Sequence, residues 1–199
     1  MMQWSYDTLL KWGTDELTAH DVENASLDAW YLLEHIYGIS RVDFLMRRSD
    51  RFDAAQMEKS TAYQALIRQR SEGCPVQYLT GSTEFMGLPF FVNEHVLIPR
   101  QDTEVLVETA LSMMKPGCRL LDMCTGSGCI VLSLAKLGTV TWGIGADISE
   151  EALKVAERNR DNLGLSQVKL VHSDLFGSVE GVFDMIVSNP PYIPTDDIE

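Results

Sequence analysis

The chain has 199 residues, 45% of them hydrophobic, and a formal net charge of −13 at pH 7. It contains no stretch near the ~20 apolar residues of a membrane span and no basic start with an apolar core of a signal peptide, so we expect a folded, cytoplasmic protein that avoids membranes. The negative charge disfavours direct nucleic-acid binding, because it repels the phosphate backbone.

Residues 1–73 show only helical patterns. In the stretch LDAWYLLEHIYGI, apolar residues recur at the i, i+3, i+4, i+7 spacing of an amphipathic helix, as Ala29, Leu32, Leu33 and Ile36. A later helical segment stops at Gly73, a residue type that commonly ends helices. These patterns predict a compact helical domain over residues 1–73.

Residues 74–98 are rich in aromatic and β-branched residues and are interrupted by Gly87-Leu88-Pro89. This composition predicts a β-hairpin that serves as a stiff linker between two domains. After it, Asp102 is predicted as the N-cap of a helix that runs through Met114 to Pro116-Gly117.

The last segment, residues 99–199, alternates between short apolar strands and helices. In chain order the pattern predicts a strand at 119–123, a helix at 129–137, a strand at 141–147, a helix at 150–163, and strands at 168–172 and 183–188. Strands separated by helices in this way form βαβ units with right-handed crossovers. We therefore expect an α/β domain with a doubly wound parallel sheet.

Polar residues follow the predicted strands, at the sheet edge where open parallel sheets bind their ligands. Asp122 ends the first strand, and Gly126 and Gly128 lie in the turn into the next helix, where a ligand can approach the backbone. A dinucleotide fingerprint would have a third glycine where this chain has Val131. Asp147 ends the second strand, where a carboxylate can bind both ribose hydroxyls of either NAD or S-adenosylmethionine.

Two further segments carry candidate binding groups. Asp174 follows the third strand and can accept a hydrogen bond from an adenine amino group, while Leu175 or Phe176 covers the ring. The last strand ends in Asn189-Pro190-Pro191-Tyr192. Two consecutive prolines fix φ and remove two backbone donors, so this tip is stiff and its carbonyl oxygens are available as acceptors. The four cysteines show no Cys-x-x-Cys spacing, and no metal site is predicted.

Seven segments together resemble the release-factor glutamine N5-methyltransferases. They are Pro75–Tyr78, Glu84–Gly87, Leu97–Glu104, Thr125–Gly128, Ala146–Ser149, Ser173–Phe176 and Asn189–Tyr192. The likeness runs continuously from about Cys74 to the end of the chain. One departure is visible, because the family usually has a glycine where this chain has Cys124.

The resemblance implies a Rossmann-like domain that binds S-adenosylmethionine and releases S-adenosylhomocysteine. Its cofactor residues would be Asp122, Cys124, Thr125, Gly126, Ser127, Gly128, Asp147, Ile148, Asp174, Leu175 and Asn189. The resemblance further implies that Asn189, Pro190, Pro191 and Tyr192 hold the glutamine side chain from the Gly-Gly-Gln loop of a peptide-chain release factor. The helical domain is assigned to substrate recognition.

The chemistry of an amide nucleophile fits this tip, because its nitrogen lone pair is delocalised and needs positioning rather than a base. The Asn189 side-chain oxygen and the Pro190 carbonyl can accept the two amide hydrogens, and Tyr192 can pack on the amide plane. An amino-group methyltransferase acting on DNA adenine or ribosomal-RNA guanine is one alternative, since Asn-Pro-Pro-Tyr alone admits it. A non-catalytic binding module is another.

The predicted sheet has only four strands, whereas a methyltransferase sheet of this type normally has seven. We therefore expect a fragment of a longer protein with weak or no activity by itself. Residues 185–187 would then form an unpaired apolar edge.

Overall fold

The computed structural model describes residues 4–191, and the chain forms two compact units that divide between Thr80 and Gly81. Residues 74–98, assigned above to a linker, are therefore shared between the two units. Within residues 4–191, no helix combines the length and apolar character that a membrane crossing requires.

The first unit is helical. It contains α1 (Tyr6–Ala19), α2 (Ala25–Tyr37), α3 (Arg41–Arg47), α4 (Ala54–Ser71) and α5 (Val76–Thr80). Both α1 and α4 begin with capping boxes, in which Ser5 and Asp53 each accept a hydrogen bond from the backbone three residues on. The largest fully buried side chains of this unit include Trp30 and Tyr63.

Polar contacts join α4 to α2 inside this helical core. The Arg70 Nε donates to Asp28 Oδ2 at 2.7 Å, and both side chains are largely buried. The Tyr63 hydroxyl donates to the Ala29 carbonyl at 3.2 Å. Because buried polar groups without partners are costly, these contacts fix the register of the two helices as well as their separation.

The second unit combines a hairpin with an α/β sheet. Its elements are β1 (Ser82–Phe85), β2 (Leu88–Phe91), α6 (Gln101–Met113), β3 (Cys118–Met123), α7 (Cys129–Leu137), β4 (Val140–Asp147), α8 (Glu150–Leu163), β5 (Val168–His172) and β6 (Met185–Ser188). The four larger-sheet strands lie in the order β5-β4-β3-β6 and all pair in parallel. The predicted doubly wound α/β class is confirmed.

The hairpin is built into the second unit. Met86 and Gly87 both have positive φ, as the central residues of a type I′ turn require. Phe85 and Phe90 are buried in the same core as Val107 of α6. The hairpin therefore packs as part of the α/β core.

The predicted boundaries of α6 and of the last strand are wrong, and two other strands begin one residue earlier than predicted. The N-cap of α6 is Arg100, whose backbone is extended, and Asp102 lies in the first turn, where its carboxylate still meets the positive end of the helix dipole. The last strand begins at Met185 instead of residue 183, and Phe183 stacks on Trp142 with ring centroids 5.7 Å apart. Within residues 4–191, β6 is an edge strand, and its Ile186 side chain is exposed.

The helix crossing of α1 and α4 generates a prediction at Gly13. A glycine to alanine change inside a helix normally stabilises it by about 1 kcal/mol. Here a Cβ at position 13 would overlap the Tyr63 hydroxyl and approach Ile67 Cδ1 to 3.0 Å. We expect Gly13→Ala to lower the free energy of unfolding of the first unit by roughly 1–3 kcal/mol.

Urea unfolding followed by fluorine NMR of fluorotryptophan-labelled protein measures this loss, because Trp4, Trp12 and Trp30 all lie in the first unit. The matched control is Gly13→Ala in a Tyr63→Phe background, where removal of the hydroxyl should reduce the loss. An equal loss in both backgrounds would contradict the predicted overlap.

Candidate functional site

A cavity of about 490 Å³ lies at the carboxyl ends of the four parallel strands β3, β4, β5 and β6. Its wall comes from the strand ends, from the residues before α6 and from the first turn of that helix. The lining residues that carry the discussion below are Arg100, Asp102, Thr103, Cys124, Gly126, Asp147, Ile148, Asp174, Leu175, Asn189, Pro190 and Pro191. This is the edge of the sheet at which parallel α/β folds bind ligands.

The turn between β3 and α7 has an unusual backbone. Cys124, Gly126 and Gly128 have φ values of 59°, 55° and 79°. The Gly128 N–H donates to the Thr125 carbonyl at 2.8 Å, which closes the turn. Glycine adopts positive φ without strain, whereas Cys124 does so at a cost of roughly 1–2 kcal/mol.

Asp122 lies behind this turn and is fully buried. Its Oδ2 accepts from the Thr125 hydroxyl at 2.6 Å and from the Val131 N–H at 3.3 Å, whereas its Oδ1 has no hydrogen-bond partner among the described residues. Burial raises the pKa of this carboxyl to about 7, the two hydrogen bonds oppose the rise, and the nearby Asp147 charge adds to it. Asp122 thus shapes the turn from behind the cavity wall.

Asp147, the last residue of β4, binds Gly126 of the same turn. Its Oδ2 accepts from the Gly126 N–H at 2.8 Å, and its Oδ1 accepts from the Ser149 N–H at 3.0 Å. A carboxylate has about four acceptor positions, so two remain for a ligand in the cavity that this side chain lines. The backbone beside it is also held, because His172 Nε2 lies 2.8 Å from the Ile148 carbonyl oxygen.

The segment after β5 forms the next part of the wall. Leu175 has a φ of 44° and is 60% exposed, and Asp174 beside it is exposed as well. The Ser173 hydroxyl donates to the Leu175 carbonyl at 2.7 Å, and the Ser178 N–H donates to the Ser173 oxygen at 2.9 Å. These bonds hold an apolar side chain at the cavity despite its exposure.

The Asn-Pro-Pro tip borders the same cavity. The Asn189 Nδ2 donates to the Thr103 hydroxyl oxygen at 3.2 Å, so α6 orients the amide. Within the described part of the chain, no hydrogen bond is made by the Asn189 Oδ1. Pro190 and Pro191 are exposed at the cavity, and Tyr192 lies outside the described residues.

The structure thus separates the predicted site residues into two groups. Nine line the cavity, namely Cys124, Gly126, Asp147, Ile148, Asp174, Leu175, Asn189, Pro190 and Pro191. Four others, Asp122, Thr125, Ser127 and Gly128, are buried behind the wall and support it.

Two polar residues next to the site were not predicted from the sequence. Thr103 was noted only as part of a family segment, and nothing in its spacing signals the bond to Asn189. Asn159 left a signal, because it continues the inward face of α8 formed by Ala152, Val155 and Ala156. A polar residue on an apolar helix face indicates a buried hydrogen-bonding role.

Asp122 gives the second unit a predicted pH dependence. The unfolded pKa is near 3.9 and the folded one is about 7, so between these values the folded state holds the extra proton. The free energy of unfolding of the second unit therefore falls as the pH rises, by roughly 2–3 kcal/mol between pH 5 and pH 8, and levels off above pH 8. Asp122→Asn keeps a neutral group of the same shape and should remove most of this slope.

Urea unfolding at several pH values, followed through the fluorotryptophan signal of Trp142, measures the slope in this unit. Glu108→Gln, which alters an exposed carboxyl on α6, serves as the control and should leave the slope unchanged. A slope of the same size in Asp122→Asn and in the wild-type chain would show that another group causes it.

Comparison with a solved structure agrees with this architecture. Wild-type Trm5b from Pyrococcus abyssi matches with a TM-score of 0.50 at 22% sequence identity, over 56% of this chain and 34% of that one. At this identity the match supports the fold alone. The family model of the methyltransferase small domain matches residues 100–198, and that of the PrmC N-terminal domain matches residues 8–81.

Curated relatives cover nearly the whole chain. The release factor glutamine methyltransferase of Geobacter sulfurreducens is 39% identical over 198 residues, which are 98% of this chain and 68% of the relative. The one from Leptospira interrogans is 42% identical over 96% of this chain and 68% of its own length, and the one from Escherichia coli is 40% identical over 88% and 63%. The chain thus spans about two thirds of the length of these relatives. The predicted resemblance is confirmed, and the chain belongs to the release factor glutamine methyltransferase family.

Proposed function

We propose that this chain binds S-adenosylmethionine in the 490 Å³ cavity and transfers its methyl group to the side-chain amide nitrogen of a release-factor glutamine. The substrate residue is the glutamine of the Gly-Gly-Gln loop. The observation that carries this proposal is the Asn189 carboxamide, which Thr103 holds at the same cavity that Asp147 lines.

The cavity wall suits a nucleoside with a cationic sulfur. Asp147 retains acceptor positions for the two ribose hydroxyls, and Asp174 with Leu175 offers a carboxylate and an apolar surface for the adenine. Three carboxylates, Asp102, Asp147 and Asp174, outnumber the one arginine of the lining, Arg100, and this negative balance favours a sulfonium. The bound cofactor supplies an electrophilic methyl group, and S-adenosylhomocysteine remains after transfer.

The Asn189 geometry suits a primary amide substrate. Since Nδ2 is engaged by Thr103, Oδ1 is the acceptor that the side chain can offer to a substrate N–H. The Pro190 carbonyl provides the second acceptor for the other N–H. With both hydrogens held, the nitrogen lone pair can be aimed at the methyl carbon, and such positioning supplies up to about 7–11 kcal/mol in favourable cases. We assign Tyr192 to packing on the amide plane.

This positioning removes the need for a general base before transfer. An amide nitrogen becomes acidic once it is alkylated and can then release its proton to water. The chain therefore needs to orient the nitrogen and to exclude competing nucleophiles, which the stiff diproline tip and the apolar Leu175 side chain both support.

Single-turnover mass spectrometry tests the proposed substrate. Because only weak activity is expected of the 199-residue chain by itself, it is used in excess over a purified release factor with S-adenosylmethionine and a long incubation. It should then add one methyl group to the Gly-Gly-Gln glutamine. Duplex DNA and ribosomal RNA are assayed in parallel. Because the chain belongs to the release factor glutamine methyltransferase family, we expect no methyl transfer to either nucleic acid. Methylation of a nucleic acid, or of another release-factor residue, would contradict the proposal.

Loss of the Asn189 carboxamide should slow the chemical step specifically. Asn189→Ala removes one preorganised acceptor, and we expect the single-turnover rate to fall roughly 10²–10³-fold while the cofactor Kd changes little. Asn162→Ala, which alters an exposed asparagine on α8, is the control and should keep the wild-type rate. An unchanged rate in Asn189→Ala would favour a role in binding rather than catalysis.

We further propose that the helical unit contributes to release-factor recognition away from the reacting glutamine. Its helix α3 exposes three apolar side chains, Val42, Leu45 and Met46, which are 66%, 66% and 80% exposed. Apolar side chains of this size are common anchors in protein interfaces when they occur together.

Substitution on α3 separates recognition from chemistry. We expect the double substitution Leu45→Ser and Met46→Ser to raise the KM for intact release factor by about fivefold to tenfold. The KM for a short Gly-Gly-Gln peptide should stay at its wild-type value. Val105→Ser, an exposed apolar residue of α6, is the matched control. An unchanged KM for the intact release factor would exclude α3 as a recognition surface.

A further inference from the structure

Asn159 makes three hydrogen bonds from a fully buried position on α8. Its Oδ1 accepts from the Phe91 N–H at 2.7 Å, and its Nδ2 donates to the Phe91 carbonyl at 3.0 Å and to the Ser127 carbonyl at 2.9 Å. The side chain therefore binds the end of the hairpin on one side and the turn between β3 and α7 on the other.

These bonds complete a pattern in the turn. Three successive residues are each held by a polar side chain from a different element: Thr125 by Asp122 of β3, Gly126 by Asp147 of β4, and Ser127 by Asn159 of α8. The end of the turn also packs closely against α8. A Cβ added to Gly128 would lie only 3.2 Å from Ala156 Cβ, so the turn has little room to shift toward that helix.

We propose that Asn159 is a positioning residue for the cofactor, which it serves by fixing the Ser127 peptide of the turn from behind the cavity wall. The inference rests on the proposed function, since it requires this turn to contact the cofactor. Asn159 does not line the cavity, so it acts through the backbone of residues 126–128 rather than by touching the ligand.

A carboxamide is well suited to this position because the site demands one acceptor and two donors. An aspartate of nearly the same shape keeps the acceptor for the Phe91 N–H but, when ionised, faces the Phe91 and Ser127 carbonyl oxygens without a donor. When protonated, it regains one donor. The substitution Asn159→Asp should therefore perturb the turn more at high pH than at low pH.

Calorimetric titration with S-adenosylhomocysteine tests this on the full chain at pH 8 and pH 5.5. We expect Asn159→Asp to weaken binding by about tenfold relative to wild type at pH 8, and the ratio to shrink at pH 5.5. Comparing each variant with wild type at the same pH removes the contributions of Asp122, Asp147, Cys129 and Arg158, the ionisable groups on the neighbouring parts of β3, β4, α7 and α8.

The matched control is Val155→Ala, which removes buried volume from the same face of α8 without changing a hydrogen bond to the turn. It should lower the free energy of unfolding but leave the Kd at the wild-type value. A merely structural role for Asn159 would instead make the two variants lose affinity in proportion to their lost stability, and that result would overturn the inference.

A second variant covers the case in which Asn159→Asp does not fold. Asn159→Ser is neutral and shorter, and it should weaken binding severalfold with the same ratio to wild type at both pH values. Wild-type affinity at pH 8 in folded Asn159→Asp or folded Asn159→Ser would overturn this inference but not the proposed function. Absence of S-adenosylhomocysteine binding by the wild-type chain would instead overturn the proposed function.

Discussion

The second unit depends on keeping a strained and polar turn in one conformation. Residues 124–128 adopt positive φ at three positions and bring backbone groups to a cavity, so neither apolar packing nor a regular ladder holds them. Hydrogen bonds that Asp122 and Asp147 accept and that Asn159 donates, all buried or partly buried, perform this task instead. Because each comes from a separate element, the turn is correct only when β3, β4 and α8 are all in place.

The hairpin connects the two sides of the cavity. Its turn is bonded to α6, where the Met86 N–H donates to Glu104 Oε1 at 2.6 Å, next to the residue that orients Asn189. Its end is bonded to Asn159, which holds the Ser127 carbonyl. The hairpin thus contacts both the part of the site proposed to bind the methyl donor and the part proposed to bind the glutamine. Its Phe85 and Phe90 side chains are buried in the core of the second unit.

Much of the fold follows from patterns along the chain, because each pattern reflects a local preference. The helices at 129–137 and 150–163 and the strand at 168–172 match the predicted bounds, since apolar periodicity and helix caps are readable from sequence. The start of α6 was misplaced because Asp102 suits both an N-cap and a first turn, and the dipole favours either position. Contacts across long separations, such as Asn159 with Phe91, leave only an indirect signal.

The residues that reach the site from helices were harder to predict than those at the strand ends, for the same reason. Asp147 ends β4 and Asn189 directly follows β6, so strand order alone brings them to one edge of the sheet. Thr103 and Asn159 reach the site from helices, and their roles depend on how those helices rotate when they pack. Yet these residues decide which atoms the wall presents. In the proposed function, the bond from Nδ2 to Thr103 leaves the Asn189 oxygen as the acceptor, and an oxygen at this position would select a substrate that donates hydrogens, as a primary amide does.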